Sequence, residues 1–280
     1  MPSPEFRSGV HFTLEQLAEL HTRSFEGYFF PMTMSAQALA ARMRSEQIDL
    51  AASVIPLVEG TPVGVSLVAR RGPRMRVASM GVVASQRTRG VGRALIDAIV
   101  EGARSAGAAS LSLEVIAQNE PALALYESVG FRRMRRLVGY GRTPFDPLPD
   151  PAHRVGDLSS LAAAMATEPA RPWPWQLSPH TMVAASDALI VHALAGEAYA
   201  CVDPARLSLR ILYVHPSARR QGKARRLLAS IQARHPGLPW SIPALIPEDF
   251  SAEALGALGF REEKLFQWEL ERAFTGANAT

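Results

Sequence analysis

The sequence predicts an α/β chain made of two similar halves in tandem, and three observations carry that expectation. A short loop pattern occurs twice, as Arg87-Thr88-Arg89-Gly90-Val91-Gly92 and as Arg219-Arg220-Gln221-Gly222-Lys223-Ala224. Strands and helices follow one another in the same order in both halves. Between them stands Thr143-Pro144-Phe145-Asp146-Pro147-Leu148-Pro149-Asp150-Pro151, whose prolines can continue neither a helix nor a central strand. It reads as a stiff linker, 143–152, between a domain over 1–142 and a domain over 153–280.

In the first half, Thr13 with Gln16 three residues on signals a capped helix through Leu14, Leu17, Ala18 and Leu20. Residues 25–34 are aromatic and interrupted by Pro31, which predicts a loop. Ser35 caps a second helix through Leu39 and Met43. Residues 50–58 and 62–69 read as strands joined at Glu59-Gly60-Thr61, and 76–83 as a further strand. Residues 90–106 form a helix with Leu95, Ile96, Ile99 and Val100 on one side, closed by Gly107. A strand over 111–116, a short helix over 121–129 closed by Gly130, and a strand over 131–140 complete it.

The second half repeats this order in shorter form. A helix is expected over 158–165, irregular chain around Trp173-Pro174-Trp175, and strands over 188–194, 198–202 and 207–214. A helix over 223–233, a strand over 240–245, a helix over 252–258 and a strand over 266–270 follow. The loop recurs from position 87 to 219, and the pair Gly130-Phe131 recurs as Gly259-Phe260. A period of this length is a domain duplication and not a solenoid.

Composition bounds the class. Of 280 residues 48% are hydrophobic, enough for each half to bury a core. The net charge of +4 is a mild excess, which fits an anionic ligand such as a nucleotide better than a nucleic-acid partner. Cys201 is the one cysteine, so no disulfide forms within the chain and a reducing compartment is the default. Met1-Pro2-Ser3-Pro4 lacks the features of a secretory signal, and no apolar run is long enough for a membrane span. A cytoplasmic protein is expected.

The repeated loop carries the chemistry. The first N–H groups of a helix lack carbonyl partners and, with the helix dipole, favour an anion. Gly90 and Gly92 remove side chains that would hold a phosphate away, and Arg87, Arg89 and Arg93 bring positive charge. A single copy would equally fit a plain strand-to-helix turn with solvated arginines. The Gly-Lys-Ser/Thr of a P-loop is absent. A dinucleotide fingerprint is absent too, because Leu95 stands where its third glycine belongs.

Together with Leu113-Glu114-Val115, Asn119, Ala122, Leu125-Tyr126 and Gly130-Phe131, the first loop resembles the GCN5-related N-acetyltransferase (GNAT) family. The resemblance spans about residues 10–142. A weaker likeness through Val214, Arg219, Gly222, Ala224 and Gly259-Phe260 spans about 153–272. It implies, for each half, a mixed, mostly antiparallel sheet flanked by helices, with acetyl-CoA entering where two strands splay. The backbone of Val82 and Val83 would meet the pantetheine arm, with the Val82 N–H on the thioester oxygen. Residues Arg87, Thr88, Arg89, Gly90, Val91, Gly92 and Arg93 would hold the diphosphate, and Asn119 would orient the pantetheine or the helix start.

Tyr126 is then expected as general acid toward the thiolate, and Glu114 as general base toward the amine. His21 and Glu26 are weaker candidates for the base. In the second half Val214, Arg219, Gln221, Gly222, Lys223 and Ala224 keep the coenzyme loop. Counting back from Phe260, Leu255, Glu248 and Pro243 stand in place of the tyrosine, asparagine and glutamate. That half is expected to bind coenzyme A without the usual acid. The arginines at 70–76 and 132–136 read as solvated strand ends, and Trp173, Trp175 and Trp240 as core.

The expected activity is acetyl transfer to an amine, of a small molecule or a peptide N-terminus, by direct attack in a ternary complex. No metal is called for. A coenzyme A-sensing or interaction module without turnover is the alternative, as is a tandem thiol-biosynthesis enzyme similar to mycothiol synthase. Neither the acceptor nor the oligomeric state is written in the residues.

Overall fold

A computed structural model describes residues 3–168, 172–185, 189–204 and 207–274. The elements of the first half are β1 (Glu5–Ser8), α1 (Leu14–Ser24), α2 (Ala36–Glu46), β2 (Ile48–Asp49), β3 (Val54–Val58), β4 (Thr61–Pro62), β5 (Gly64–Arg71), β6 (Arg74–Val82), α3 (Val91–Ser105), β7 (Ser110–Ile116), α4 (Glu120–Ser128) and β8 (Arg132–Arg142). Those of the second are β9 (His153–Gly156), α5 (Leu158–Ala166), α6 (Pro179–Val183), β10 (Ile190–Leu194), β11 (Ala198–Asp203), β12 (Ser208–Val214), α7 (Lys223–Gln232), β13 (Trp240–Pro247), α8 (Glu248–Ala257) and β14 (Arg261–Ala273). The strand expected from Ala188 begins at Ile190, its first residue lying outside the described ones. β1, β9 and α6 were not foreseen; each is five residues or fewer, too short for periodicity to register.

The chain folds as two compact units, but they do not divide at the proline-rich stretch. Unit 1 runs to Met134 and takes up the chain again from Trp268, and unit 2 spans Arg135–Gln267. Each unit therefore contains the last part of the other half's end strand, Trp268–Ala273 of β14 in unit 1 and Arg135–Arg142 of β8 in unit 2. In unit 1 the strand order is β2-β5-β6-β7-β14, with β1-β3-β4 as a separate small sheet. Leu270 is fully buried in that core, beside Leu95, Ile96, Leu111 and Leu113. In unit 2, β8 pairs antiparallel with β13, and the order continues through β12, β11, β10 and β9.

In each unit a single arginine on the adopted strand closes a helix. Arg272 donates to the Val129 carbonyl at the end of α4, and Arg142 to the Leu258 carbonyl at the end of α8, at 2.8 Å. These carbonyls have no intrahelical donor, so the guanidinium supplies one.

The stretch 143–152 is no free spacer. Phe145 is buried edge-on to Trp240 and Phe260. Its N–H donates to Gln232 Oε1 at 3.0 Å, the Leu148 N–H to the Ala229 carbonyl at 3.2 Å, and the Asp150 N–H to Ser230 Oγ at 3.0 Å. The prolines leave few backbone donors, and α7 satisfies three of those that remain.

Every described pairing in the main sheet of each unit is antiparallel except one, β6 with β7 in unit 1 and β12 with β13 in unit 2. The mixed, mostly antiparallel sheet is thus what the chain forms. α1 starts with the anticipated reciprocal cap, Gln16 N–H to Thr13 Oγ1 at 3.3 Å and Thr13 N–H to Gln16 Oε1 at 2.9 Å.

Candidate active site

The parallel register of β6 and β7 holds from Arg74↔Ser110 to Val77↔Leu113 and then stops. Beyond that point the two strands share no pairing, and a gap opens between them. A bulge in β6 falls at the same level, since Leu67 and Val68 of β5 face Ser79 and Val77, leaving Ala78 over. Bulges turn a strand and end its pairing.

The last residues of β6 have opposite fates. Gly64 faces Val82, and the Val83 N–H donates to the Val63 carbonyl at 2.9 Å. In an antiparallel ladder this makes Gly64–Val82 a pair without mutual bonds, so the Val82 N–H points away from β5, toward the gap. Val83 is spent within the protein: its carbonyl also accepts from the Gln86 N–H at 2.9 Å. The expectation that both valines meet a ligand is thereby narrowed to the Val82 N–H.

The loop before α3 is exposed. Thr88 at φ +61° and Gly90 at φ +82° both lie in the left-handed region. Gly90 is thus required by the backbone. Gly92 is a different case. A Cβ there would meet only Leu125, at 3.8 Å, so nothing inside the unit demands glycine. No side chain caps the helix start, and its first amides face outward.

The arginines divide three ways. Arg87 turns back, with Nε on the Val82 carbonyl at 3.0 Å and Nη2 on the carbonyls of Ser24 at 3.1 Å and Glu26 at 2.8 Å. It is a staple for the loop, and its expected place beside a phosphate is corrected on that ground. Arg93 pairs with Asp97 at 2.8 Å on the helix surface. Arg89 is exposed on the loop.

Tyr126 is buried in α4, edge-on to Phe131 with centroids 6.0 Å apart. Burial first, and the neighbouring Tyr28 phenol second, push its pKa well above the usual phenol range. Asn119 caps α4, accepting from the Ala122 N–H at 3.4 Å, and also hydrogen-bonds the Tyr28 phenol. His21 is fully buried on the other side of β6, with Nε2 2.9 Å from Ser79 Oγ and its ring stacked on Phe25 at 4.6 Å. Burial, then the charge of Arg42, lower its pKa to about 4, so it is neutral at pH 7.

Glu114 lies where sequence reasoning expected it, on β7, but Arg76 clasps it. Arg76 Nε donates to both carboxylate oxygens, at 3.0 and 2.9 Å, and Nη2 to one at 2.6 Å. Arg76 Nη1 holds Glu46 at 2.7 Å, and Arg42 Nε holds that same Glu46 at 2.8 Å. Burial would raise the Glu46 carboxyl, yet Arg42 and Arg76 prevail and hold it at about 2. Three charge-assisted bonds commit this carboxylate to one guanidinium. Arg76, read from sequence among solvated arginines, is 1% exposed. Arg76 alternates with Met75 and Val77 onto the sheet face that Glu114 also takes on β7, and that alternation was the available signal.

Residues 14–131 match the model of the acetyltransferase (GNAT) family. Unit 1 carries a GNAT acetyltransferase domain. Members of this family generally use acetyl-CoA, and the gap, the outward amides and the open Gly92 are compatible with such a ligand. A comparison with curated protein sequences gave no match. Solved structures share the fold over nearly the whole chain. A putative acetyltransferase from Pyrococcus horikoshii superposes with a TM-score of 0.69 at 14% identity, over 98% of this chain and 91% of its own. A GCN5-related N-acetyltransferase from Sphaerobacter thermophilus gives 0.68 at 16%, over 96% and 95%. A tandem GNAT protein from the clavulanic acid biosynthesis pathway gives 0.64 at 18%, over 99% of each chain.

Unit 2 repeats the loop and strand-end geometry of unit 1, with no phenol at the place of Tyr126. Arg220 at φ +61° and Gly222 at φ +73° reproduce Thr88 and Gly90. The His215 N–H donates to the Glu197 carbonyl at 2.8 Å opposite the pair Ala198↔Val214, so the Val214 N–H faces the gap as Val82 does. Arg219 Nε donates to the Val214 carbonyl at 3.0 Å, with Nη2 on Glu168 at 2.5 Å. Like Arg87 it is a staple. Lys223 pairs with Glu197, and Gln221 with the Ser217 carbonyl at 2.9 Å, so neither is an unengaged phosphate contact. A cavity of about 850 Å³ opens here, bordered by β12, the loop through Gly222 and Ala224, α8, Trp173 and Phe250. Leu255 occupies the position of Tyr126 and is buried. Of the tryptophans, Trp240 and Trp175 are core as expected, while Trp173 lines the cavity.

Among the described residues no cluster of side chains could hold a metal ion. No described helix is long and apolar enough to cross a membrane.

Proposed function

We propose that unit 1 transfers the acetyl group of acetyl-CoA to an amine by direct attack, and that unit 2 binds the coenzyme without turning it over. The observation that carries this reading is the Val82 N–H, turned toward an open strand gap in the unit that also holds a buried phenol. Bound acetyl-CoA supplies the thioester. The amides of Gly90, Val91 and Gly92 then hold the diphosphate, with Arg89 adding charge from the loop. The Val82 N–H donates to the carbonyl oxygen. A fixed donor stabilises that oxygen more as it gains charge than in the ground state.

Tyr126 holds its proton throughout the neutral range, because burial disfavours phenolate. Full transfer to a thiolate is therefore uphill, and Tyr126 acts by hydrogen-bonding the departing sulfur. Glu114 is committed to Arg76, so the amine's proton leaves through water or His21. Neutral His21 is a weak base, which favours an amine that arrives already uncharged. Asn119 positions α4 and Tyr28 rather than contacting the coenzyme.

In unit 2, Gly222, Lys223 and Ala224 offer amides to a diphosphate, and the Val214 N–H faces the pantetheine. Leu255 gives no proton, which favours binding alone. Thiol release from acetyl-CoA over a panel of primary amines tests both parts. Tyr126→Phe lowers kcat about a hundredfold, while Leu255→Ala keeps turnover. Equal turnover of Tyr126→Phe and the parent protein, or loss of turnover in Leu255→Ala, would overturn the assignment.

A further inference from the structure

We propose that the acceptor end of unit 1 selects a small primary amine carried on an aromatic ring, and that Phe29 and Phe30 form the outer wall of this site. The proposal rests on the acetyltransferase reading above and names its substrate class.

The end of α1 lies directly on β6. A Cβ on Gly81 would sit 3.0 Å from Phe25 Cε2, 3.0 Å from Ser24 Cβ and 3.1 Å from the Ser24 carbonyl oxygen. Phe25 therefore covers the strand one residue before Val82, the donor facing the gap. From there the chain runs to Tyr28, whose phenol bonds Asn119 at the head of α4 and lies near Tyr126. Residues 25–28 thus pass from β6 to α4, the two elements that supply the Val82 N–H and the Tyr126 phenol. Arg87 pins this segment through the Ser24 and Glu26 carbonyls, which ties the wall to the coenzyme loop.

The segment is a continuous run of rings. His21 stacks on Phe25 at 4.6 Å, Phe25 meets Tyr28 edge-on at 5.3 Å, and Tyr28 meets Phe29 at 5.1 Å and Phe30 at 5.7 Å. Of the inner rings His21 is buried and Phe25 and Tyr28 are half-buried, while Phe29 is 47% and Phe30 46% exposed. Two adjacent phenylalanines held half in water, each edge-on to a phenol that reaches the site, form an apolar surface in search of a cover. Ring edges and faces so arranged complement another ring. The buried carboxylates on this side, Glu46 and Glu114, are both tied to Arg76. Among the described residues they leave no other buried carboxylate on this side to receive a polyamine. A flat apolar body with one amine fits; a multiply charged chain does not.

The test measures thiol release by the full chain with 2-phenylethylamine, n-butylamine and spermidine, for the parent, Phe29→Ala and Phe30→Ala. The expected result is a kcat/KM for 2-phenylethylamine at least about tenfold above that for n-butylamine, the scale on which apolar pockets discriminate. Each alanine variant should cut that ratio severalfold, through KM for the aromatic amine. The KM for acetyl-CoA and the melting temperature show that the variants are folded, since both rings are half exposed. Turnover in which n-butylamine or spermidine equals the aromatic amine would overturn the proposal. So would an unchanged ratio in both variants. Absence of turnover with every amine would instead sink the acetyltransferase reading, and the selectivity with it.

Discussion

Replacing Glu114 by Gln separates a catalytic carboxylate from a structural one. The substitution keeps the shape and removes one charge from a cluster of four, Arg42, Glu46, Arg76 and Glu114. Arg76 makes three contacts of 2.6–3.0 Å to Glu114 and one of 2.7 Å to Glu46. Breaking a buried ion pair from one side costs roughly 3–5 kcal/mol. Glu46, shared with Arg42, still faces Arg76, and the amide oxygen of the new side chain still accepts from it, so the lower end, about 3 kcal/mol, is expected. For a unit of this size each kcal/mol moves the midpoint by roughly 2–4 °C, which gives a fall of about 6–12 °C. Activity should move little: well below the midpoint, kcat falls less than about threefold. Loss of a general base would instead cost about 10²–10⁴ in kcat. Calorimetric melting and thiol release on the same preparation decide between the two. A hundredfold loss of kcat, with one limb of the pH–rate profile gone and the melting temperature unmoved, would refute the structural role and restore Glu114 as base.

Three further perturbations follow from the same geometry. Gly92→Glu puts a carboxylate at the start of α3, where the helix dipole favours it by about 0.3–1 kcal/mol, yet in the space left for a diphosphate. Stability should hold or rise while titration calorimetry shows acetyl-CoA stoichiometry falling from two to one and turnover disappearing. Arg142→Ala removes the donor to the Leu258 carbonyl and should cost unit 2 about 1.5–3 kcal/mol, the worth of a charged hydrogen bond, read by urea denaturation. His192 is 3% exposed, with Nδ1 2.9 Å from His153 Nε2. Burial first, then the neighbouring His153, lower its pKa from 6.5 to about 4. A depressed folded pKa means the unfolded chain takes up the proton first, so this contribution is complete above about pH 6.5 and is lost as pH falls toward 4. The loss is about 3 kcal/mol, and His192→Gln should flatten that part of the stability–pH curve.

Much of unit 1 was legible because its signals are local. Thr13 and Gln16 cap α1 within one turn, and Gly90 opens α3 within a six-residue pattern. Tyr126 stands in a helix whose cap and closing glycine are adjacent in sequence. What escaped reading depends on partners far along the chain. Arg76 looks like any strand-end arginine until Glu114, on the next strand of the sheet, and Glu46, at the end of α2, converge on it. The exchange of β8 and β14 between units is equally silent. Both strands carry the same pattern and each is preceded by the same helix and glycine, so either could complete either sheet. The boundary follows from the tie of residues 143–152 to α7, in contacts that proline spacing alone does not encode. Tyr28 was hidden in a segment that lacks periodicity, and only its reach to Asn119 gives it a place.

The two loops also bear on why a unit with Leu255 in place of Tyr126 keeps its cleft. A β-carbon in the left-handed region costs roughly 1–2 kcal/mol, and both Thr88 and Arg220 sit there. Packing alone would not ask this of Arg220, since a turn with a relaxed residue serves a core equally well. Nor would packing ask for an open cavity beside it, because unfilled space forfeits contacts that its walls could otherwise make. Unit 2 nevertheless keeps the strained residue, the glycine after it, the outward Val214 N–H and the cavity together, and gives up only the proton donor. That combination is what a site for holding a diphosphate ligand needs, and it is short of what thiolate departure needs. Separating the two requirements is possible because they come from different elements: in the proposed reading the loop and β12 hold the ligand, and α8 would have supplied the acid.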